Sequence, residues 1–479
     1  MARVLLVNSN LMRPPIAPIG LDYIAGYLDA LGHEVDLLDL CLEPDWRAAI
    51  TARLSRGLEP QIVALTVRNT DDCYCASRQS FLPQVSEIAS ALQAHAGEAL
   101  MVAGGVGFSL MPQAILAGLP GCVGVAGDGE VALAALATAA DRGEDASQVP
   151  GLVRRTPQGA WRTQRPGRGE LPAIPGSRSW VANARYFREG GQGGIETKRG
   201  CAGRCIYCAD PVAKGRRYRL RPPTEVADEA ERLLAQGVDC LHTCDSEFNL
   251  PPRHALAVCE EFIRRGLGDR LRWYAYCSPA PFKPELATAM RRAGCVGINF
   301  GADSGSDVML KRLRRGFTAA DIRRTREACG AAGVICMFDL LLGGPGETRE
   351  TADETIRLMK AIEPDAVGVA IGLRVYPGTE LGCIVAAQGV RADDPNLVGS
   401  VRGNDDFAEP VFYLSADLGD DYADVLHEGL RGDPRFFLGG SRDETDYNYN
   451  ANEMLVQAIA GGARGAYWDI LRRLRLGAQ

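Results

Sequence analysis

The sequence is poor in histidine, has no long apolar run and carries no excess of positive charge. Its 479 residues include five histidines, and no pair has the H-x3-5-H spacing of zinc sites, so a zinc centre is not expected. The apolar start, residues 1–8, is too short for a secretory signal or a membrane span. A net charge of −7 gives no broad basic field for nucleic acid. We therefore expect a cytoplasmic protein with neither a membrane nor a nucleic-acid partner.

Cysteine, in contrast, is plentiful. There are fifteen cysteines without an export signal, which is typical of a reducing cytosol where thiols stay free for metals or chemistry. Cys201, Cys205 and Cys208 lie in one short loop with the spacing C-x3-C-x2-C. Cysteine thiolates are the usual ligands of iron–sulfur clusters. Because the loop has no fourth cysteine, it predicts a [4Fe–4S] cluster with one iron open to another ligand.

The length and composition predict a globular protein of several domains. Hydrophobic residues make up 46% and charged residues 24% of the chain, as in ordinary globular proteins. The expected organisation is a first domain over 1–140, a linker over 141–190, a barrel over 191–380 and a C-terminal cap and substrate domain over 381–479.

The first domain alternates apolar strands with amphipathic helices, which predicts a parallel, doubly wound, Rossmann-like sheet. Such sheets bind ligands at the carboxyl ends of their strands. The predicted strands are Val4–Asn8, Glu34–Asp39, Ile62–Val67, Leu100–Ala103 and Cys122–Ala126, and the predicted helices are Leu21–Leu31, Trp46–Arg56, Gln84–His95 and Glu130–Ala139.

A second α/β region follows the linker. Six β/α units predict a partial (β/α)6 barrel, whose active residues should lie at the carboxyl ends of its strands. Its predicted strands are Gly194–Thr197, Cys240–Cys244, Arg272–Tyr276, Val296–Phe300, Val334–Leu341 and Ala366–Leu373. The last hundred residues are helical in patches and carry aromatic clusters, which indicates a cap over the open side of the barrel that also contacts substrate.

Several runs at these strand ends resemble the radical SAM superfamily. They are the cysteine loop with its aromatic before the last cysteine, Asp245-Ser246-Glu247, Asp303-Ser304-Gly305-Ser306, Gly343-Gly344-Pro345-Gly346-Glu347-Thr348 and Tyr376-Pro377-Gly378-Thr379. Asp303 is shorter than the glutamate that relatives often carry. The resemblance implies S-adenosylmethionine (SAM) on the open iron. The residues that it implies on the SAM side are Tyr207, Glu247, Tyr276, Ser278, Asp303, Ser304, Gly344 and Tyr376.

The first domain resembles the cobalamin-binding domain that precedes many radical SAM barrels. The resemblance is carried by the run from Pro15 to Ala25, by Gly104-Gly105 and by Gly127-x-Gly129-Glu130. The cofactor-binding residues that it implies are Pro15, Ile19, Gly20, Arg68, Asn69, Thr70, Gly104, Gly105, Val106, Gly127, Gly129 and Glu130. The chain lacks the Asp-x-His-x-x-Gly motif of methionine-synthase-like relatives, and His33 is expected to be structural. The lower face of cobalt should therefore lack a histidine ligand.

Two residues have roles implied by one branch of this family. The run from Val67 to Asp72 resembles that of the tryptophan-methylating members of thiopeptide biosynthesis. The resemblance implies that Arg68 faces the lower side of cobalt without bonding it and stabilises the electron-rich state of the metal. Glu247 has two roles open to it. It either binds the amino group of SAM or ligates the open iron itself, as some of those members are thought to do.

Together these features are similar to the class B, cobalamin-dependent radical SAM methylases. The resemblance implies transfer of a methyl group from SAM, through methylcobalamin, to a carbon of a small molecule or peptide, with tryptophan or another natural-product precursor as substrate. Arg68, Glu247 and Tyr276 are the implied catalytic residues, and an external electron donor such as flavodoxin or ferredoxin is implied. Formation of a 5′-deoxyadenosyl radical is left open. The alternatives are a non-methylating rearrangement, cyclisation or oxidation, and a non-catalytic cobalamin or iron–sulfur sensor.

Overall fold

The computed structural model of the chain describes residues 1–55, 59–173, 178–439 and 446–477. Within these ranges, no helix combines the length and the apolar character needed to cross a membrane. The structure is built from two large sheets, two small ones and the helices that pack on them.

Nineteen strands are present in the described ranges. They are β1 (Arg3–Asn8), β2 (Glu34–Asp39), β3 (Ile62–Thr66), β4 (Leu100–Gly104), β5 (Val123–Val125), β6 (Leu152–Arg155), β7 (Trp161–Thr163), β8 (Gly193–Ile195), β9 (Lys198–Arg199), β10 (Arg219–Leu220), β11 (Cys240–Thr243), β12 (Arg272–Cys277), β13 (Cys295–Asp303), β14 (Ile335–Leu342), β15 (Ala366–Ile371), β16 (Leu373–Arg374), β17 (Leu397–Gly399), β18 (Val411–Tyr413) and β19 (Phe436–Leu438).

Eighteen α-helices lie between and after them in the same ranges. They are α1 (Ile19–Ala30), α2 (Trp46–Leu54), α3 (Leu82–His95), α4 (Val106–Leu110), α5 (Pro112–Ala117), α6 (Gly129–Arg142), α7 (Asn183–Gly190), α8 (Asp210–Lys214), α9 (Pro223–Ala235), α10 (Pro252–Arg264), α11 (Pro284–Arg292), α12 (Asp307–Arg312), α13 (Ala319–Ala332), α14 (Arg349–Ile362), α15 (Glu380–Gln388), α16 (Tyr422–Leu430), α17 (Glu453–Ala460) and α18 (Tyr467–Arg475).

The first sheet has the strand order β2-β1-β3-β4-β5-β6-β7. Strands β1 to β5 are parallel, and β6 and β7 extend the sheet as an antiparallel hairpin. In β1, Leu5 and Val7 belong to the core on one face and Val4 and Leu6 to the core on the other. A sheet buried on both faces is the product of helical crossovers, so the predicted doubly wound fold is confirmed. The last residue of the predicted second helix, Arg56, lies outside the described residues.

The second large sheet forms an open barrel of parallel strands in the order β19-β15-β14-β13-β12-β11-β8. Its two edge strands, β8 and β19, are not hydrogen-bonded neighbours, so the partial barrel is confirmed. Its six predicted strands are present. The seventh, β19, was not predicted, because three residues are too short to show a strand period.

The C-terminal segment covers the open side of this barrel. Helix α17 packs against α7, which leads into β8, and α18 packs against β15 near the other edge. Tyr447, Tyr467 and Trp468 join Tyr274 of β12 in a buried inner cluster. The hydroxyl of Tyr274 donates to Asp469 Oδ2 at 2.8 Å, which fixes α18 to the barrel. The predicted aromatic cap is therefore present.

A buried ionic network joins the first domain to α9 of the barrel. Arg178 Nε lies 2.7 Å from Asp22 Oδ2, and the same guanidinium also pairs with Glu229. Arg221 Nη1 lies 2.6 Å from the other oxygen of Glu229, and Tyr23 donates to Glu229 at 2.8 Å. Removing one partner would leave an uncompensated buried charge, so the network holds the two domains in one relative position.

The domain boundaries at 140, 190 and 380 stay predictions. The predicted linker, 141–190, contains the β6–β7 hairpin and α7, and its residues 174–177 lie outside the described residues.

Candidate active site

The three-cysteine loop leaves β9 and returns through β10. Gly200 has φ +93°, and a Cβ there would lie 2.2 Å from the carbonyl oxygen of Arg217, so only glycine allows this tight turn. The amide of Cys201 donates to the carbonyl of Gly215 at 3.0 Å. The amide of Gly203 donates to Sγ of Cys201 at 3.4 Å. Backbone groups therefore fix the loop and one of its thiols.

The space beside the thiols suits an iron–sulfur cluster. A Cβ on Gly203 would lie 3.2 Å from Sγ of Cys201 and 3.9 Å from Sγ of Cys205, so glycine keeps the space beside both sulfurs free. In the described part of the chain, no three His, Cys, Asp or Glu side chains converge as ligands of one ion. Each thiolate of a cubane binds its own iron, and the free space beside the sulfurs of Cys201 and Cys205 fits this group. Burial raises the pKa of all three thiols, and iron binding must displace their protons.

Arg315 is the centre of the charged contacts around this loop. Its Nη1 donates to Sγ of Cys205 at 2.9 Å and lies 3.4 Å from the hydroxyl of Tyr207. Its Nε is 3.1 Å from Oδ2 of Asp303, which also accepts a hydrogen bond from Tyr207. The guanidinium thus joins a predicted cluster ligand to two predicted SAM-side residues, and Glu247 lies on its other side.

Glu247 follows β11, and its carboxylate interacts electrostatically with Cys201 and Cys205. Its Oε1 is 3.7 Å from Nη2 of Arg315, which is too far for a normal hydrogen bond. Burial raises the pKa of Glu247 to about 7, although Arg315 opposes the shift. A buried carboxylate with so little compensation is stabilised by a new cation. The position therefore suits either the ammonium of SAM or an iron.

Other predicted SAM-side residues are engaged elsewhere. Ser278 Oγ donates to a backbone carbonyl of its own loop at 3.0 Å. Ser304 Oγ is 2.9 Å from the hydroxyl of Thr355 on α14. The amide of Gly344 donates to Oε2 of Glu347 at 3.1 Å, which closes the glycine-rich turn on itself. These contacts shape the loops at the barrel mouth.

Thr70 and Tyr376 lie in a polar contact between the first domain and the barrel. Thr70 Oγ1 donates to Asp71 at 3.0 Å, and Asp71 pairs with Arg374 Nε at 2.9 Å. The hydroxyl of Tyr376 is 3.0 Å from Sγ of Cys73. In this structure the two predicted cofactor residues hold domains together.

Glu130 is likewise paired. Its carboxylate accepts from Arg199 of β9 at 2.9 Å, and Arg199 also pairs with Asp128 at 3.1 Å. The adjacent Gly129 packs so closely that a Cβ would lie 2.7 Å from Cδ1 of Ile24. The start of α6 therefore anchors the strand that leads into the cysteine loop.

The glycines at the strand ends mainly allow close packing within the protein. Gly105 has φ +107°, and a Cβ there would lie 2.6 Å from the carbonyl oxygen of Val67. A Cβ on Gly127 would lie 2.9 Å from Pro166, and one on Gly104 would lie 3.7 Å from a carbonyl of β5. These residues bring the strand ends together, and the space for a ligand lies beyond them.

That space has features that suit a corrinoid. Gly20 has no atom within 4 Å of its Cβ position, and Val106 is 44% exposed at the start of α4. The buried Nδ2 of Asn10 has no hydrogen-bond partner among the described residues. An exposed valine and an unpaired amide suit a large ring with apolar and amide groups. Ile19 and Pro15 belong to the same loop edge, and Ile19 reaches within 3.9 Å of the Cβ position of Gly194 in the barrel.

Arg68 and the half-buried Asn69 follow β3 at this same edge. Arg68 Nη1 lies 3.7 Å from Sδ of Met12, and no carboxylate lies within 4 Å of the guanidinium in the described ranges. It interacts electrostatically with Tyr276 of the barrel and Tyr467 of the cap, and burial lowers its pKa. The first domain thus directs an unpaired cation towards the barrel.

His33, which lies just before β2, is far from the carboxyl edge of the first sheet. His33 accepts at Nδ1 from the amide of Ala2, at 3.4 Å, just before β1 begins. This is the amino edge of the sheet, where doubly wound folds do not bind ligands. The placement agrees with the predicted structural role of His33.

Tyr276 faces an internal chamber between the barrel, the first domain and the cap. It is 41% exposed although it projects into the barrel. Its ring lies 4.7 Å from that of His242, and it interacts electrostatically with Arg68 and Asp339. The chamber therefore lies beside the edge that carries Arg68.

Comparison with known proteins identifies this arrangement. Residues 12–137 match the B12 binding domain and residues 195–359 match the Radical SAM superfamily. The tryptophan 2-C-methyltransferase of Streptomyces laurentii is 34% identical over 453 residues, which cover 81% of this chain and 75% of that protein. The chain belongs to the cobalamin-dependent radical SAM methyltransferases. The predicted cofactors, a [4Fe–4S] cluster, cobalamin and SAM, are confirmed at the level of this family.

Solved structures of cobalamin-dependent radical SAM enzymes have the same architecture. TsrM from Kitasatospora setae, solved with tryptophan and a SAM analogue, superposes with a TM-score of 0.90 at 33% sequence identity. The match covers 100% of this chain and 99% of the TsrM chain. TsrM with cobalamin and a [4Fe–4S] cluster gives a TM-score of 0.88. The cobalamin-dependent radical enzyme OxsB shares the fold at 17% identity, with a TM-score of 0.72. The likeness to TsrM supports methylation over the non-methylating and sensor alternatives, whereas the likeness to OxsB shows the fold alone.

The structure also reveals site residues that the sequence analysis missed. Arg315 follows α12 in a run of basic residues that looks like a solvated surface. His242, Asn299 and Asp339 project into the chamber from three barrel strands. Their signal was available, because a polar residue inside an apolar strand is seldom buried without a role.

Proposed function

We propose that the protein methylates carbon 2 of tryptophan, with SAM as methyl donor. The observation that carries this proposal is the placement of three groups around one aromatic chamber: the cysteine loop with Glu247, the unpaired Arg68 and the tyrosines of the cap. The relative that is 34% identical is a tryptophan 2-C-methyltransferase, and TsrM has been solved with tryptophan bound. These likenesses support tryptophan as the small-molecule substrate that the sequence predicted in general terms.

The cofactors fit residues that the structure brings to the chamber. Cys201, Cys205 and Cys208 would hold the cluster, and the loop edges around Gly20 and Val106 would hold cobalamin. When bound, cobalamin supplies a cobalt centre able to accept and release a methyl group, and the cluster supplies an iron with a free coordination position. The protein positions these groups and excludes water from them.

Arg68 would act by electrostatics. A guanidinium has no lone pair to offer cobalt, yet it carries a positive charge. Facing the lower side of the corrinoid, it would disfavour a ligand there and stabilise the electron-rich metal. The groups that interact most strongly with Arg68 are cysteines and tyrosines and include no carboxylate, so its charge would act on the cofactor.

Glu247 would ligate the open iron. Its carboxylate interacts electrostatically with two of the three cluster thiols, and among the described residues its ion-pair partner is Arg315 at 3.7 Å. An iron ligand at this place would keep SAM from chelating the cluster. The proposed reaction therefore needs no 5′-deoxyadenosyl radical. Carbon 2 of the indole would gain the methyl group that SAM gives up as it becomes S-adenosylhomocysteine, and it would lose its proton.

The test is transfer of a deuterated methyl group from SAM to tryptophan by the anaerobic, cofactor-loaded protein. Mass spectrometry should find the label on carbon 2 of tryptophan. Candidate small molecules and short tryptophan peptides, assayed side by side, serve as competitors. Labelling of a competitor with none on tryptophan would contradict the proposed substrate.

An external electron donor such as flavodoxin or ferredoxin would dock on a basic rim beside the cysteine loop. This rim consists of Arg165, Arg168, Arg204, Arg216 and Arg217, all exposed in a chain of net charge −7. The carbonyl of Arg217 packs on Gly200 of the loop, and the side chain of Arg168 packs on Gly215. The rim is thus a positive surface next to the cluster, which suits an acidic redox protein.

Reversing charge on this rim should slow reduction by the protein donor. We expect Arg216→Glu with Arg217→Glu to lower the rate of cluster reduction by reduced flavodoxin about 10-fold or more at low salt. The difference should shrink as ionic strength rises, and reduction by dithionite should not change. The control is Arg291→Glu with Arg292→Glu, an exposed pair at the end of α11. Equal slowing by both double variants would refute the docking site.

We also propose a cytosolic location, as predicted. All fifteen cysteines are free thiols, which is typical of a reducing compartment. Cell fractionation with detection of the protein would test it.

A further inference from the structure

The chamber has one wall made of polar side chains from neighbouring barrel strands. His242, Tyr276, Asn299 and Asp339 come from β11, β12, β13 and β14 in that order. Their strand neighbours, such as Phe300, point the other way into the main core. Because side chains alternate along a strand, the four polar residues all face the barrel interior.

Three acceptor atoms of this wall have no partner within the described residues. His242 Nδ1 lies 2.8 Å from the carbonyl of Thr243, which can only accept, so the proton is on Nδ1 and Nε2 keeps its lone pair. Asn299 Nδ2 donates to Asp339 Oδ2 at 2.7 Å. This leaves Asn299 Oδ1, Asp339 Oδ1 and His242 Nε2 buried and unpaired. Apart from the hydroxyl of Tyr276, which can donate or accept, the free groups of the wall are therefore acceptors.

Asp339 also lacks a counter-charge. No Lys, Arg or His lies within 4 Å of its carboxylate in the described ranges, where its one hydrogen-bond donor is Asn299. Burial raises the pKa of Asp339 to about 6, and the negative charge of Asp303 adds to the shift. Leaving a buried charge unpaired is costly, so the site is set up for a cation that comes with the ligand.

The space beside Asp339 is bounded by small and aromatic groups. A Cβ on Gly368 of β15 would lie 2.3 Å from Asp339 Oδ1, so glycine is required for the carboxylate to take this position. Tyr74, Tyr447 and Tyr449 all interact electrostatically with Asp339. Tyrosine rings attract cations over their faces and pack well against a flat apolar group.

We propose that Asp339, with Asn299, binds the ammonium group of the substrate while the tyrosines enclose its apolar part. An ammonium has N–H donors for the unpaired oxygens of Asn299 and Asp339 and one positive charge for the carboxylate. The substrate class is therefore a free aromatic amino acid or amine, and an N-acylated residue within a peptide is excluded. This inference rests on the proposed function, because it takes the chamber as the substrate site.

The test compares ligands that differ at the amino group. Equilibrium binding to the cofactor-loaded protein would be measured for tryptophan, tryptamine, indole-3-propionate and N-acetyltryptophan. We expect tryptophan and tryptamine to bind about 10- to 100-fold more tightly than the two probes without an ammonium. Indole-3-propionate binding as tightly as tryptophan would overturn the proposal without any variant.

Asp339→Asn should remove this preference. The isosteric amide keeps the shape and loses the charge, so we expect tryptophan affinity to fall about 10- to 100-fold and indole-3-propionate affinity to stay constant. KM for tryptophan should rise more than kcat falls. The control is Asp365→Asn, a carboxylate before β15 that accepts from the amide of Cys336 at 2.9 Å; it should keep the preference. A variant that still prefers tryptophan would contradict the role of Asp339.

The two proposals fail in different ways. If the protein methylates tryptophan but binds indole-3-propionate equally well, the ammonium site is wrong and the proposed function stands. If the protein prefers ammonium ligands through Asp339 but methylates none of the indoles, the ammonium site stands and the proposed substrate is wrong.

Discussion

Replacing Cys201, Cys205 and Cys208 together with alanine should abolish both the iron–sulfur absorbance of the reconstituted protein and methyl transfer. The loop brings these thiols to the barrel mouth with no fourth cysteine, so no replacement ligand set is at hand. The expected loss is complete. The measurement is iron content and visible absorbance after anaerobic reconstitution, together with labelled product.

Replacing the three thiols should not unfold the barrel, because the hydrogen bond from the amide of Cys201 to the carbonyl of Gly215 does not need the side chain. Cys383→Ala, at an exposed cysteine on α15, is the control and should reconstitute normally. A full cluster in the triple variant would show that other residues hold the iron, and the assignment of the loop would be wrong.

Replacing Arg68 with glutamine should lower the rate of methyl transfer about 10- to 100-fold, as for groups that tune a metal without ligating it. The reason is the loss of a positive charge that no carboxylate offsets. Cobalamin binding should change little, because the loop edges around Gly20 and Val106 would supply the contact area. The measurements are single-turnover methyl transfer and cobalamin affinity in parallel.

Lysine is a poor substitute at this position. A buried lysine loses its proton more readily than arginine and would then offer cobalt a lone pair. Arg47→Gln, at an exposed ion pair on α2 of the same domain, is the control. Nitrogen coupling in the EPR spectrum of the native protein's cob(II)alamin would contradict the unligated lower face, and unchanged kinetics in Arg68→Gln would remove its role.

The parts of the site that the sequence predicted are those whose chemistry is local. Cys201, Cys205 and Cys208 lie within eight residues, so their spacing alone indicates a shared cluster. Arg68 and Glu247 follow apolar strands, and the carboxyl ends of parallel strands meet at one edge. The locations of these residues in the fold can therefore be predicted from the sequence pattern without knowledge of tertiary contacts.

The residues that the sequence missed depend on long-range contacts. Arg315 meets Cys205 across 110 positions of chain, and nothing in its neighbourhood distinguishes it from a surface arginine. Asp339 is conspicuous as a polar residue in an apolar strand, but its contact with Asn299, 40 positions away, is set by the pairing of β13 and β14. Glycine runs were ambiguous for the opposite reason: they indicate tight turns, but whether Gly105 faces a ligand or Val67 is decided by packing.

The most direct test of the two-cofactor site is the product balance of the loaded protein. Reduced protein with cluster and cobalamin, given SAM and tryptophan, should form methyltryptophan and S-adenosylhomocysteine in equal amounts, with no 5′-deoxyadenosine. Omission of cobalamin should abolish both products. Methyltryptophan formed without cobalamin, or 5′-deoxyadenosine formed in step with product, would contradict this account of the site.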